Sequence, residues 1–379
     1  MEQASVLIVA AEESSSLYAL RLLEKWKTEG LSISAFGVGS REMEMAGFHR
    51  LGHSEEMAVV GLSEILSHWK TIKSTYYSIL EECRKKKPKY ALLMDYPGFN
   101  LRLAKELKKM GIPVIYYISP QLWAWKEGRI KTMRAYVDHV LVLFPFEEEF
   151  YKKRNVKATF VGHPILDELS DEQLSSEAQQ IKRNKFGVAS GKKILGLMPG
   201  SRKGEIRYNF EAQLQTAQIL TSQDPQLHVQ VLLAPSLKKS DLPLQNISFP
   251  LSVIQLKPFE MISMCDVILC ASGTATLMVG LMEKPMVIMY KAHALTAWLA
   301  RRLVKISHVG LVNIIAQREI VPELLQEDAN PEKLAQTLKD LLYNQQKHDQ
   351  MVHDLRNLKT LLGSRGATDR VAEILRQYL

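Results

Sequence analysis

The sequence predicts an α/β fold made of two Rossmann-like, doubly wound domains facing across a cleft. Three observations carry this prediction. Short β-rich runs alternate with longer helical ones along the chain. The strand-like runs are apolar throughout, as in parallel sheets covered on both faces. At 379 residues the chain also exceeds what one hydrophobic core usually serves.

The first strand is "SVLIVAA" (5–11), followed by "LYALRLLEKWKTEG" (17–30), with leucines at helical spacing and a glycine stop. "LSISAFGVGS" (31–40) reads as the next strand. "YALLMD" (90–95) precedes the helical "NLRLAKELKKMG" (100–111), which again ends in glycine. "PVIYYIS" (113–119), the helical "EGRIKTMRAYV" (127–137) and "HVLVLF" (139–144) continue the alternation. The composition then turns polar over 170–193, which reads as a hydrophilic helix and linker at a domain boundary. Strands resume with "KILGLMPGS" (193–201), "HVQVLLAPS" (228–236), "LSVIQL" (251–256), "DVILCASG" (266–273) and "PMVIMY" (285–290). The expected domains are 1–168 and 169–345. Helices over 346–379 follow, and packing back on the first domain is one placement open to them.

Bulk properties narrow the function. An apolar fraction of 46% and a charged fraction of 24% are those of an ordinary globular protein. No apolar run approaches the roughly 18 residues of a membrane span. The N-terminus begins acidic and shows no signal-peptide pattern, so a cytoplasmic protein is expected. Cys83, Cys265 and Cys270 form no Cys-x-x-Cys pair, and no His-Glu-x-x-His spacing occurs, so neither a disulfide framework nor a built-in metal site is expected. The net charge of +8 favours an anionic partner, and some of it is clustered in "RKKKPK" (84–89), "YKKR" (151–154) and "ARRLVK" (300–305). These runs carry no interleaved aromatics of the kind that stack bases, so nucleic acid is not expected. A nicotinamide dehydrogenase is disfavoured because the first strand-to-helix turn contains no glycine fingerprint.

In open parallel sheets ligands bind at the carboxyl ends of the strands. Two turns there stand out. In "PGSRKGE" (199–205), Gly200 allows a tight turn, Ser201 can cap or donate, and Arg202 offers a fork of donors matched to phosphate oxygens. The helix that follows presents its own N–H groups. In "CASGTATLMVGLMEKP" (270–285), Ser272, Gly273 and Thr274 make a second small-residue turn into a helix. Either turn alone reads as a helix cap; the pair suits a diphosphate held between two helix N-termini.

Seven segments in order, "DYPGFNLRLAK" (95–105), "YYISPQLWAW" (116–125) with Arg129, "LFPFEEEFY" (143–151), "FVGHPILDEL" (160–169), "LMPGSRKGEI" (197–206), "SGTATL" (272–277) and "NIIAQREIVPELLQ" (313–326), closely resemble the lipid-A-disaccharide synthase family over nearly the whole chain. The resemblance implies a GT-B fold and inverting transfer from UDP-2,3-diacylglucosamine to 2,3-diacylglucosamine 1-phosphate, giving a β-1,6-linked disaccharide and UDP. It implies no cofactor, the UDP-sugar being a substrate, and no metal. Asp95 matches the family's proposed catalytic aspartate, and Arg202 an arginine at the nucleotide. Gly200, Ser201, Ser272, Gly273 and Thr274, with Asn313, Arg318 and Glu319, fall in the implied UDP pocket. Glu12, Ser14, Asn100 and His163 fall on the acceptor side, His163 in a supporting role at most.

"MAVVGLSEILSHWKTIKS" (57–74) places Leu62, Ile65, Leu66, Trp69 and Ile72 on one helical face, with Val59 and Val60 just before it. A stripe at helical spacing ordinarily means core, but the family places acyl chains and the membrane on this side. With the basic runs and the amphipathic "LTAWLARRLVKI" (295–306), it implies peripheral attachment to an anionic surface, the inner face of a bacterial inner membrane. A homodimer is expected only by family likeness.

The chain departs from the family twice. Where the family has Gly-Glu-Ala-Ser-Gly-Asp this chain has "AEESSS" (11–16), and where the family has a glutamate after "SGTATL" it has Met278. These changes bear on activity and substrate and leave the fold untouched. A UDP-sugar epimerase on the same fold and a non-catalytic paralogue that binds nucleotide or lipid remain alternatives.

Overall fold

A computed structural model describes residues 3–57, 62–123, 127–186, 191–245, 247–291 and 308–379, and of residues 62–68 it describes the backbone. The chain divides into two compact units, Met1–Asp167 together with Leu362–Leu379, and Glu168–Leu361.

The first unit runs β1 (Ala4–Ala10), α1 (Glu13–Thr28), β2 (Ile33–Gly39), α2 (Arg41–Met45), β3 (His49–His53), α3 (Ser54–Met57) and α4 (Leu62–Lys86). It continues with β4 (Ala91–Met94), α5 (Pro97–Lys109), β5 (Val114–Tyr117), α6 (Ile130–Tyr136), β6 (His139–Val142), α7 (Pro145–Lys152) and β7 (Ala158–Phe160). All seven strands are parallel, in the order β3-β2-β1-β4-β5-β6-β7. β4, β5 and β6 are buried along their whole length, which is why they read as unbroken apolar runs, whereas edge strand β7 is half-buried. α5 starts on Pro97, whose missing N–H costs nothing at a helix start, and buries Phe99, Leu103 and Leu107 one turn apart.

The second unit runs α8 (Asp171–Leu174), α9 (Ser176–Lys185), β8 (Ile194–Met198), α10 (Lys203–Gln223), β9 (His228–Leu232), β10 (Leu251–Ile254), α11 (Pro258–Ser263), β11 (Val267–Ala271), α12 (Thr274–Leu281) and β12 (Met286–Tyr290). A helix Leu311–Ala316, strand β13 (Glu323–Leu325) and helices Pro331–Tyr343 and Gln345–Leu361 complete it. Its six parallel strands follow the order β10-β9-β8-β11-β12-β13.

The observed division falls one residue before the expected limit of 168/169, while the character of the polar stretch and the end of the second unit differ from expectation. The polar stretch after residue 169 is no free linker: Arg183 pairs with Asp266 at 2.7 Å, and Lys284 Nζ donates to Gln179 Oε1 at 2.9 Å, so α9 is docked on the second unit. Helix Gln345–Leu361 also stays with the second unit, burying Met351, Leu355 and Leu358; the Met286 amide donates to Met351 Sδ at 3.3 Å. Only the last residues return to the first unit. There the helix Ala367–Arg376 is capped by Asp167, whose carboxylate accepts from the Gly366 amide at 2.6 Å and the Thr368 amide at 3.4 Å. Arg370 Nε donates to the Val161 carbonyl at 2.7 Å, and Lys25 pairs with Asp369 at 2.7 Å. Among the described residues no helix is long and apolar enough to cross a membrane.

Because one carboxylate satisfies both helix-start amides, Asp167→Ala is expected to cost about 1–2 kcal/mol of stability. Urea denaturation of the full chain followed by circular dichroism measures it; an unchanged midpoint would remove Asp167 from the account of how the terminal helix is held.

Candidate functional site

Each sheet reverses its strand order once, between β1 and β4 in the first unit and between β8 and β11 in the second. Open sheets gather ligands outside the carboxyl ends at such a reversal. The turns there are Ala11–Glu12 and Asp95–Tyr96 in the first unit, and Pro199–Arg202 and Ser272–Gly273 in the second. The sequence motifs therefore fall where the topology opens each sheet.

In the first unit Asp95 and Tyr96 adopt left-handed backbone in succession, φ 49° and 42°. Such residues are strained and cluster at functional sites, at about 1–3 kcal/mol each. Wholly buried Asn100 spans the turn: its Nδ2 donates to the Met94 carbonyl at 3.0 Å and the Asp95 carbonyl at 2.8 Å. The Tyr116 hydroxyl donates to the same Asp95 carbonyl at 2.5 Å. The next strand end carries a third left-handed residue, Ile118 at φ 59°. Beside it the buried Glu147 carboxylate accepts from the Leu143 and Phe144 amides at 3.2 and 3.1 Å and from Trp123 Nε1 at 3.2 Å. Burial pushes its carboxyl up to about 7 against the pull of those donors.

His163 is buried, and its Nδ1 accepts from the Ile165 amide at 3.2 Å. Burial lowers it to about 3, so the ring is neutral and serves the turn after β7. Glu12 and Ser14 start α1, Glu12 half-buried and Ser14 exposed. No residue from Ala11 to Ser16 needs positive φ, and the serines take over the turn: Ser15 Oγ donates to the Glu12 carbonyl at 2.8 Å, and Ser16 Oγ to that of Ala10 at 3.0 Å. The lost family glycines thus leave no strained backbone behind.

In the second unit Gly200 holds φ 125°, and a Cβ there would lie 2.4 Å from Glu205 Oε2. Only glycine fits. The positive φ is that of the tight turn the sequence suggested, and the contact with Glu205 adds to it. Two amides of the turn entering α10 are already taken, because Glu205 Oε2 accepts from Ser201 N at 2.8 Å and Arg202 N at 3.3 Å. Arg202, with its side chain 54% exposed, places Nη1 3.6 Å from Glu205 Oε1. Buried Asn209 and Gln213 of α10 secure the strand ends beneath: Gln213 Nε2 donates to the Met198 and Leu269 carbonyls at 3.1 and 3.3 Å, and Asn209 Oδ1 accepts from Lys291 N at 2.9 Å. At the second turn the Ser272 hydroxyl donates to the Val309 carbonyl at 3.3 Å, while Gly273 and Thr274 are exposed at the start of α12 and Met278 is half-buried one turn on.

Three residues placed in the UDP pocket by resemblance have other surroundings. Asn313 is wholly buried; its Nδ2 donates to the Val321 carbonyl and Glu323 Oε1, and its Oδ1 accepts from the Ile320 and Val321 amides, at 2.7 to 3.0 Å. Every polar site of the amide is spent inside the fold. Arg318 pairs with Asp354 at 2.6 Å. Glu319 lines an open cavity of about 590 Å³ with Val321, Asp340, Lys347, Met351 and Asp354. Met351 meets the amino end of β12, so this cavity lies at the opposite sheet edge from Gly200 and Gly273.

On the apolar side, Trp69 and Tyr77 of α4 are 49% and 58% exposed. Val59, Val60 and the segment 295–306 lie outside the described residues, as do the side chains of Leu62, Ile65 and Leu66. Two basic runs are partly neutralised by their own neighbours, Lys85 by Glu81 at 2.7 Å and Arg154 by Glu127 at 2.7 Å.

Sequence reasoning missed Glu205, Asn209, Gln213, Tyr116 and Glu323. Glu205 was the most legible, standing three residues after Arg202, the spacing at which an acid reaches back to a helix start. Asn209 and Gln213, one turn apart on a face with Ile206 and Phe210, showed as polar residues on an apolar side.

Comparison with known proteins follows this geometry. A lipid-A-disaccharide synthetase family model matches residues 6–376. The lipid-A-disaccharide synthase of Trichlorobacter lovleyi is 38% identical over 376 residues, 98% of this chain and 96% of that one. The corresponding protein of Anaeromyxobacter sp. (strain K) is 39% identical over 371 residues, 97% and 96% of the two chains. Among solved structures, a Neisseria meningitidis UDP-GlcNAc 2-epimerase bound to UDP-GlcNAc covers 99% of both chains with a TM-score of 0.63 at 12% identity, which shows the fold alone. The fold is of the GT-B class, and over nearly its full length the chain belongs to the lipid-A-disaccharide synthase family.

Proposed function

We propose that this protein is an inverting glycosyltransferase of lipid A biosynthesis, joining UDP-2,3-diacylglucosamine to 2,3-diacylglucosamine 1-phosphate. The observation that carries the reading is the Gly200–Glu205 turn, where an anion already sits on two main-chain amides beside a guanidinium. A carboxylate oxygen there stands in for a diphosphate oxygen of the donor. On binding, the diphosphate displaces Glu205 from Ser201 and Arg202, and Arg202 meets the charge that grows as UDP departs. The small-residue turn Ser272–Thr274 takes the nucleotide from the neighbouring strand end.

In the first unit Asp95 takes the proton of the acceptor's 6-hydroxyl. The hydroxyl oxygen attacks C1 of the donor sugar, the C1–O bond to the diphosphate breaks, and UDP leaves with the electron pair. The anomeric centre inverts. The turn after β1 neighbours the Asp95 turn after β4, and we assign Glu12 and Ser14 there to the acceptor, while Asn100 supports Asp95 from beneath. Asn313 and His163 are assigned to the framework, and Arg318 and Glu319 to the far edge, away from the donor. Arginine and amide donors carry the leaving charge, so the reading calls for no metal or cofactor. Exposed Trp69 and Tyr77 suit contact of α4 with acyl chains and an anionic membrane surface.

The local use of Ser15 and Ser16 closes the "AEESSS" turn without strain, so the substitutions there leave the fold of the turn intact. Purified protein given both acylated substrates is expected to release UDP in the presence of EDTA, and Asp95→Asn to lower the rate by about 10²–10⁴-fold. Turnover of UDP-GlcNAc to an epimer, or lipid binding with no UDP release, would replace this reading. By calorimetry, UDP is expected to bind Glu205→Gln more tightly than the natural protein and Arg202→Ala more weakly. Weaker binding by Glu205→Gln would mean that the carboxylate shapes the site and does not compete for it.

A further inference from the structure

We propose that Tyr116 is a positioning residue for glycosyl transfer, fixing the Asp95 carboxylate by tying down the main-chain carbonyl of the same residue. This rests on the reading of Asp95 as the base. A left-handed aspartate is tolerable, but a left-handed tyrosine directly after it is not an ordinary turn. Left to itself, such a pair relaxes toward negative φ and swings the aspartate away from its place at the end of β4.

Three contacts oppose that relaxation. Asn100 acts from within the same strand–helix unit, bridging the Met94 and Asp95 carbonyls. The Asp95 amide donates to the Tyr117 carbonyl at 3.3 Å. The Tyr116 hydroxyl reaches the Asp95 carbonyl from β5, so a side chain of the neighbouring strand sets the height of the turn against the sheet. Tyr116 is wholly buried on a strand whose other members are Val114, Ile115 and Tyr117. A hydroxyl in that setting is costly unless bonded, and phenylalanine would fill the same space without it. Burial, with the Asp95 charge nearby, holds the phenol far above its ordinary range, so it remains a donor at any working pH. Ile118, left-handed just past the end of β5, puts a second strained turn beside the first.

The test is Tyr116→Phe in the full chain, alone and combined with Tyr96→Gly, because glycine takes left-handed backbone without penalty. In Tyr116→Phe we expect kcat to fall about tenfold, KM for both substrates to stay within twofold, and the acid limb of the kcat profile to move. In the Tyr96→Gly background the same substitution is expected to cost no more than about twofold. An equal loss in both backgrounds, an unchanged kcat, or a loss confined to KM overturns the proposal. Should Tyr116→Phe fail to melt cooperatively, the comparison of Tyr96→Gly with the double variant decides alone, with a tenfold difference between them counting against the proposal. If natural protein releases no UDP, the reading of the function has failed; if it releases UDP but Asp95→Asn retains full rate, the role of Tyr116 falls with that of Asp95.

Discussion

Four buried side-chain amides hold the strand and loop ends on which the rest of the structure depends. Where a parallel strand gives way to a turn, its last carbonyls and amides lose their neighbours, and each one left unpaired indoors costs about 1–3 kcal/mol. Asn100, Asn209, Gln213 and Asn313 are all wholly buried, and each binds main-chain groups at such an end. A neutral amide suits the task because it bonds main-chain groups and carries no charge indoors; Asn209 and Asn313 both donate and accept, while Asn100 and Gln213 donate. With these ends fixed from below, the turns above them can take unusual backbone, as Asp95, Tyr96 and Gly200 do.

The second recurring device is an acid folded back onto helix-start amides. Glu147 does so at α7, Glu205 at α10, and Glu323 at the helix Leu311–Ala316, where it accepts from the Val309 and Gly310 amides at 2.7 and 2.9 Å. The environments separate the first two. Glu147 is buried and encircled by donors, whereas Glu205 lies against an exposed arginine at a surface turn. An anion arriving from solvent can compete with the second far more readily than with the first. Identical local chemistry thus lies sealed in one place and open to solvent in another.

Strand–helix alternation was legible because fully buried parallel strands leave unbroken apolar runs, and β4, β5, β6, β8 and β11 are all of this kind. The reversal points were legible as glycines, hydroxyls and charges just after such runs. What escaped was what depends on partners distant in sequence. Helix Gln345–Leu361 looks like a terminal appendage until Met351 is seen against Met286. Polar residues after 169 look like linker until Arg183 meets Asp266. Asn313, Arg318 and Glu319 sit within seven residues, yet one is sealed in the core and two face the opposite sheet edge, a distinction that no local motif encodes.

The excursion of the chain through the second unit before Leu362–Leu379 comes home has a consequence for biosynthesis. The seven-stranded sheet leaves the ribosome early but lacks the helix that covers α1 and seals the Asp167 corner. That helix is translated roughly 10–40 s after Asp167 at ordinary elongation rates. The nascent first unit therefore waits with an uncovered apolar flank while the second is completed, and a truncated message would strand it in that state.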